Sequence, residues 1–174
     1  RMLIAFLGLI VFMIITKRGF YSGNLNKLKY LGTGAVTAAH WIFFFEALKV
    51  SNVSITLTTL ASTTLFVALI EPVFFKRKII GYEVLLGICT LIGLAIIFQA
   101  ETDHTLGIIL ALGSALLAAV FSTLNGVFVK SDKPTLITAY EMVGGAIGIT
   151  IYSLFQSSSF MSQLHPGSDS NCLI

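Results

Sequence analysis

The chain has 174 residues, 56% of them hydrophobic and only 11% charged, with a formal net charge of +3. Soluble domains carry about 25% charged residues, so this inventory cannot coat a water-facing surface, and a buried helical core in a soluble domain is the weaker reading. The mean hydropathy of +0.92 points to an all-α polytopic membrane protein, and the short scattered basic clusters argue against a nucleic-acid face.

A helix needs roughly 20 apolar residues to cross a bilayer. Six runs approach that length, at about 2–16, 31–48, 54–75, 80–99, 106–129 and 135–156, so six transmembrane helices are expected. Arg1 stands directly in the first run, and the final NCLI reads like the start of another, so the chain reads as a piece of a longer protein. Lys17, Arg18, Lys27 and Lys29 follow the first run, Lys76, Arg77 and Lys78 the third, and Lys130 and Lys133 the fifth. These alternate loops hold nine of the eleven Lys and Arg, while the others hold Lys49, Glu101, Asp103 and Asp169, with Arg1 near the same boundary. The positive-inside rule then makes the loops at about 17–30, 76–79 and 130–133 cytoplasmic, with a bacterial plasma (inner) membrane as the expected location. Short connections lead one to expect consecutive helices packed as antiparallel neighbours. In SDKPT (131–135), Pro134 suits a first helical turn, with Ser131 or Asp132 as its cap. Cys89 and Cys172 lack metal-ligand or CxxC spacing and read as free thiols.

RMLIAFLGLI (1–10) aligns with EMVGGAIGIT (141–150), placing Met2 on Met142 and Gly8 on Gly148. The offset is five helices, an odd number, so the two segments cross in opposite senses, as an inverted-topology repeat requires. HWIFFFEALKVSNVSITLTTLASTTLFVALIEPVFF (40–75), the basic turn after it and GYEVLLGICTLIGLAIIF (81–98) resemble the drug/metabolite transporter (DMT) superfamily, EamA type. LGIILALGSALLAAVFSTLNGVFVK (106–130) resembles the helix that opens that family's second repeat. The resemblance implies ten helices in two inverted halves with both termini cytoplasmic. This chain would then hold helices two to seven, with 1–100 the remainder of the first repeat and 101–174 the start of the second. Many members carry a Gly-Glu-Arg turn after the fourth helix. FFKRKIIGYE (74–83) stands there instead, so no role of that Glu passes to Lys76, Arg77 or Lys78.

Thr33, Thr37, His40 and Phe44 share a helical face in the second run, with Trp41 one position round. Thr56, Thr59 and Thr63 do so in the third run, and Ser114, Ala118, Ser122 and Asn125 in the fifth. Such faces can meet around a substrate path; equally, the hydroxyls can bond back to their own helix or join helices. Glu141, about seven residues into the sixth run, is the strongest candidate for a functional charge, with Tyr140 beside it. A carboxylate there binds a cationic group, exchanges a proton or pairs with a loop Lys. Glu71 and Glu83 lie within reach of the basic cluster at 76–78, and Glu46 stands three residues before Lys49, so these read as surface ion pairs. Pro72 is expected to loosen the end of the third run. Gly107 with Ala111, and Gly144 with Gly148, form small-xxx-small pairs suited to helix packing.

No Walker loop, GxSxG or HExxH motif occurs, nor any His, Asp and Glu cluster with ligand spacing. No catalytic residue, metal, cofactor or nucleic acid is therefore expected. The expected partners are the lipid bilayer, a small-molecule substrate and protons; oligomeric state is not encoded. Taken with the resemblance, the expected function is a secondary transporter exporting a small metabolite, such as an amino acid or related compound, by alternating access. A non-transporting membrane scaffold or assembly subunit is the competing reading; one further span before this chain and three after it would favour transport. Single cysteines at Lys78 and Lys133 are expected to resist a membrane-impermeant thiol reagent in intact cells and to react after permeabilisation. Labelling from outside would invert the topology.

Overall fold

The computed structural model describes residues 24–100 and 104–164, with Gly8, Val11, Phe12 and Ile15 as isolated positions. The first apolar run as a helix, Lys17 and Arg18, Glu101 and Asp103, and His165, Asp169 and Cys172 lie outside them, as does most of the 1–10 segment of the repeat. Every regular element among the described residues is an α-helix: α1 (Asn24–Val50), α2 (Val53–Leu60), α3 (Thr63–Phe75), α4 (Gly81–Ala100), α5 (Thr105–Phe128) and α6 (Pro134–Leu164). Four stretches are long and apolar enough to cross a membrane, namely Lys27–Val50, Val53–Phe75, Thr105–Phe128 and Pro134–Leu154. α4 supplies a shorter apolar stretch, Gly81–Ile96. Of the six expected spans, the described residues thus hold four and this shorter one.

The third run is not one continuous helix. It breaks at Ala61 and Ser62 into α2 and α3. The cause is local: the hydroxyls of Thr58, Thr59, Ser62, Thr63 and Thr64 each donate to a carbonyl three or four residues back. Such bonds compete with the helical ladder. At the break the backbone tightens to three-residue spacing, with Ser62 N–H on Thr59 O at 3.0 Å and Leu65 N–H on Ser62 O at 3.1 Å. Pro72, by contrast, does not end α3, which continues to Phe75 and stops at a left-handed Lys76 (φ 50°). Arg77 then bonds Glu71 and, at 3.2 Å, Glu83, tying α3 to the first turn of α4. The Glu71 hydrogen bond holds the Arg77 guanidinium above its already high ordinary range, so this tie stays charged across physiological pH.

Helix order in space departs from order in sequence. α1 lies between α5 and α6, α2 and α3 pack on another side of α5, and α4 packs against α3. α5 and α6, although joined by a short turn, touch little, and so do α1 and α2. The expectation of consecutive neighbours therefore fails at these two junctions and between α4 and α5, and holds between α3 and α4. The reason is where small residues face one another. A Cβ on Gly34 would collide with the Glu141 carbonyl and come 2.9 Å from Gly144 Cα. One on Gly144 would strike the Leu31 carbonyl, and one on Gly148 would come 2.7 Å from Ala38 Cβ. These pairs advance together along both helices, so α1 and α6 run parallel. On α5, a Cβ on Gly107 would collide with Ser51, while Ser114 meets His40 and Phe128 meets Tyr30, so α5 runs antiparallel to α1.

Small and polar residues share the interior with Tyr30, Ile55, Leu136 and Ile137, while the exterior is rich in large apolar side chains. Ala47, Ala111, Ala115 and Ala119 are fully buried, together with Thr56, Thr59, Ser62 and Ser114. Leu85, Leu86 and Ile96 of α4, Val73 of α3 and Ile109 of α5 face outward. Lipid is as apolar as Leu, so association relies on close packing and internal hydrogen bonds rather than on burying large side chains. Gly34→Ala is accordingly expected to cost about 1–3 kcal/mol by overpacking, read as a fall in unfolding free energy in mixed micelles. Gly32→Ala, with nothing within 4 Å of the added carbon, is expected to be neutral.

Candidate functional site

Close packing of α1 on α6 places Glu141 against α1, and the side chain lies between α1 and Asn125 of α5. Glu141 is only 4% exposed. Asn125 Nδ2 donates to its Oε2 at 3.4 Å, a long and weak contact. Thr33 faces the same carboxylate from α1. Glu141 Oε1 and Asn125 Oδ1 are both buried and without a hydrogen-bond partner. The ion pairs among the described residues engage Glu46, Glu71 and Glu83, not Glu141. The loop-Lys partner considered for Glu141 is thus not present among them. A buried carboxylate held by one weak bond is costly unless something else neutralises it.

Tyr140 is half-buried beside this group, packed on Leu136 and Ala139, and its ring lies 6.5 Å from that of Tyr30. Tyr30 itself is 1% exposed, stacks edge-on against Phe128, and donates its hydroxyl to Asp132 in the turn before α6. Ser131, the other expected cap, donates back to Phe128 O at 3.0 Å.

Halfway along α1, His40 Nδ1 lies 2.9 Å from both the carbonyl and hydroxyl oxygens of Ser114, and Ser114 Oγ donates to His40 O at 3.1 Å. A carbonyl only accepts, so Nδ1 donates to it. His40 thus joins α1 to α5. Beside it Trp41, Phe44 and Phe45 form an aromatic cluster, with His40 stacked on Phe44 at 6.4 Å and Trp41 on Phe45 at 5.7 Å. Nearer the end of α1, Glu46 accepts from Lys49 at 2.6 Å and from Tyr152 of α6 at 2.6 Å.

The remaining candidates spread out. Thr33 and Thr37 are buried, but their hydroxyls donate to Tyr30 O and Thr33 O of their own helix at 2.9 and 3.0 Å. Thr59 and Thr63 likewise bond Ile55 O and Leu60 O at 2.7 and 2.6 Å. The helices carrying them pack on α5 rather than on the polar face of α1, so the structure does not bring the threonines of α2 and α3 to Thr33 and His40. Ser122 is exposed, whereas Thr123 is 1% exposed with an unpartnered hydroxyl. Eight residues at about 100° each leave Ser122 some 80° round from Ser114, which the four-residue counting overlooked. Gly107 and Ala111 lie along the contact with α1, where Ala111 is fully buried. Sequence reasoning missed Tyr30 and Tyr152 as interhelical residues. The available signal was spacing, since Tyr30 precedes Thr33 by three and Tyr152 continues the four-residue series of Gly144 and Gly148.

A family model described as the EamA-like transporter family matches residues 1–99. No curated protein and no solved structure matches the chain.

The hydrogen-bond geometry separates joints from back-bonded hydroxyls. Ser114→Ala removes an interhelical partner of His40 and is expected to cost about 1 kcal/mol of unfolding free energy. Thr37→Val loses only a bond to its own helix and is expected to change stability by less than about 0.5 kcal/mol.

Proposed function

Because the chain belongs to the EamA-like transporter family, a family of membrane transporters of the drug/metabolite type, we propose that it exports a small metabolite, such as an amino acid or related compound, by alternating access. On this reading 1–100 and 101–174 belong to two inverted repeats that rock against each other. The family match, which ends at residue 99, supports that division. α1 then belongs to one repeat and α5 and α6 to the other, so the contacts of α1 cross between the rocking halves. The membrane is the bacterial plasma membrane, and the basic loops at 17–30, 76–79 and 130–133 are cytoplasmic.

The observation that carries the proposal is Glu141: a carboxylate 4% exposed, between the two repeats, with one oxygen unpartnered. Binding a cation there relieves the buried charge, and that relief differs between a closed and an opened arrangement of α1 and α6. A ligand shifts a conformational equilibrium only through such a difference. Asn125, Thr33 and Tyr140 surround the group, and Trp41, Phe44 and His40 offer an aromatic wall further along α1. Thr37, Thr59, Thr63 and Ser122 are weaker path candidates, since the three threonine hydroxyls are already engaged and Ser122 is exposed.

The test uses the full-length protein in proteoliposomes loaded with amino acids and related metabolites. Flux above empty vesicles is expected, and Glu141→Gln is expected to lower it about tenfold or more and to remove its dependence on an imposed cation or proton gradient. No flux for any candidate would favour a scaffold without transport. An unchanged gradient dependence in the variant would remove Glu141 from coupling.

A further inference from the structure

We propose that the turn after α3 and the turn after α5 together bind the headgroup of an anionic phospholipid, with Lys76, Lys78 and Lys130 as its ligands. The site does not depend on the transporter reading above; only its effect on transport does. The two turns lie far apart in sequence, yet Lys130 Nζ stands 4.1 Å from the centre of the Phe75 ring. A Cβ on Gly126 of α5 would come 3.0 Å from the same ring, so the last turns of α3 and α5 meet at Phe75. That residue ends α3, and Lys76 follows it in the left-handed conformation that closes the helix (φ 50°). Lys130 therefore stands beside the turn that carries Lys76 and Lys78.

The acids nearby are already engaged. Arg77, between the two lysines, takes both Glu71 and Glu83, and Asp132 accepts from Tyr30. Lys76, Lys78 and Lys130 are exposed and form no ion pair among the described residues. Their surroundings are apolar, since Val73, Phe74, Ile79 and Val129 are all exposed. In a membrane-spanning chain such an apolar rim lies against acyl chains, and basic groups at its edge meet phosphates. A soluble anion matches the lysines but gains nothing from the rim. A zwitterionic lipid brings its own cation, which the lysines repel. An anionic phospholipid suits both, with its phosphate among the ammonium groups and its chains on the rim. On the transporter reading Lys76 and Lys78 belong to one repeat and Lys130 to the other. A lipid held by both turns then favours the arrangement in which they meet.

The test uses the full-length protein, freed of native lipid and equilibrated in detergent with equal amounts of phosphatidylglycerol and phosphatidylcholine. Native mass spectrometry is expected to find phosphatidylglycerol preferred about tenfold or more, and that lipid is expected to raise Tm further than phosphatidylcholine does. Lys76→Gln, Lys78→Gln and Lys130→Gln are each expected to lower the preference about twofold to fivefold, and the triple variant to remove it. Lys29→Gln, exposed at the start of α1, and Lys49→Gln, exposed near the end of α1, are expected to leave it unchanged. The wild-type comparison decides the matter even if a variant misfolds. Equal binding of the two lipids, or a preference kept by the folded triple variant, would overturn the site. An equal loss in Lys29→Gln would replace it with a diffuse attraction to the basic surface. A matching rise in Tm with inorganic phosphate alone would overturn the lipid as its ligand. Lipid preference without metabolite flux would keep the site and remove the transport reading; flux indifferent to phosphatidylglycerol would keep transport and remove the bridging effect.

Discussion

The contact on which the rest depends is the backbone approach of α1 to α6 at Gly34 and Gly144. In lipid, burying a large apolar side chain gains little over leaving it among the acyl chains. Helices are therefore held by how near their backbones come and by the hydrogen bonds that nearness permits. With a side chain at either glycine, α1 would stand off from α6. Glu141, whose own carbonyl lies in that contact, would lose its seal. The same approach brings Tyr152 within 2.6 Å of Glu46 further along the pair.

A second consequence concerns polarity. The protein buries many Thr, Ser and Ala beside a few large residues such as Tyr30, Ile55 and Ile137, and turns many Leu, Ile and Val outward. Most buried hydroxyls are satisfied within their own helix, so they lend polarity to the interior without holding helices together. Among the described residues, bonds inside the bundle that reach beyond one helix include His40 with Ser114, Tyr30 with Asp132, Tyr152 with Glu46 and Asn125 with Glu141. Three of these are close, well-made bonds. The fourth, at 3.4 Å, leaves a carboxylate oxygen unpartnered. Thr123 and Thr135 also bury unpartnered hydroxyls, but Glu141 carries the ionisable group, and its energy depends on what binds it.

Hydropathy and local spacing carried much of this. The helical class, the apolar runs from 31 onward and the start of α6 at Pro134 follow from residue type along the chain, as do the Glu46–Lys49 and Arg77–Glu83 pairings. Each depends on neighbours in sequence, and in a bilayer every backbone group must be satisfied within its own segment. Glu141 also stood out in sequence, because a charge inside an apolar run is costly wherever the helix packs.

Only the tertiary structure decided which helices meet. It placed α5 between α1 and the α2–α3 pair, kept the threonines of α2 and α3 away from His40, and put Thr123 rather than Ser122 inside. It also decided that Glu141 would face an amide and a hydroxyl and no described basic side chain. The physical reason is that helix pairing in lipid is chosen by matching small-residue surfaces across the membrane. That match is a relation between two faces far apart in the chain, and no run of hydropathy contains it.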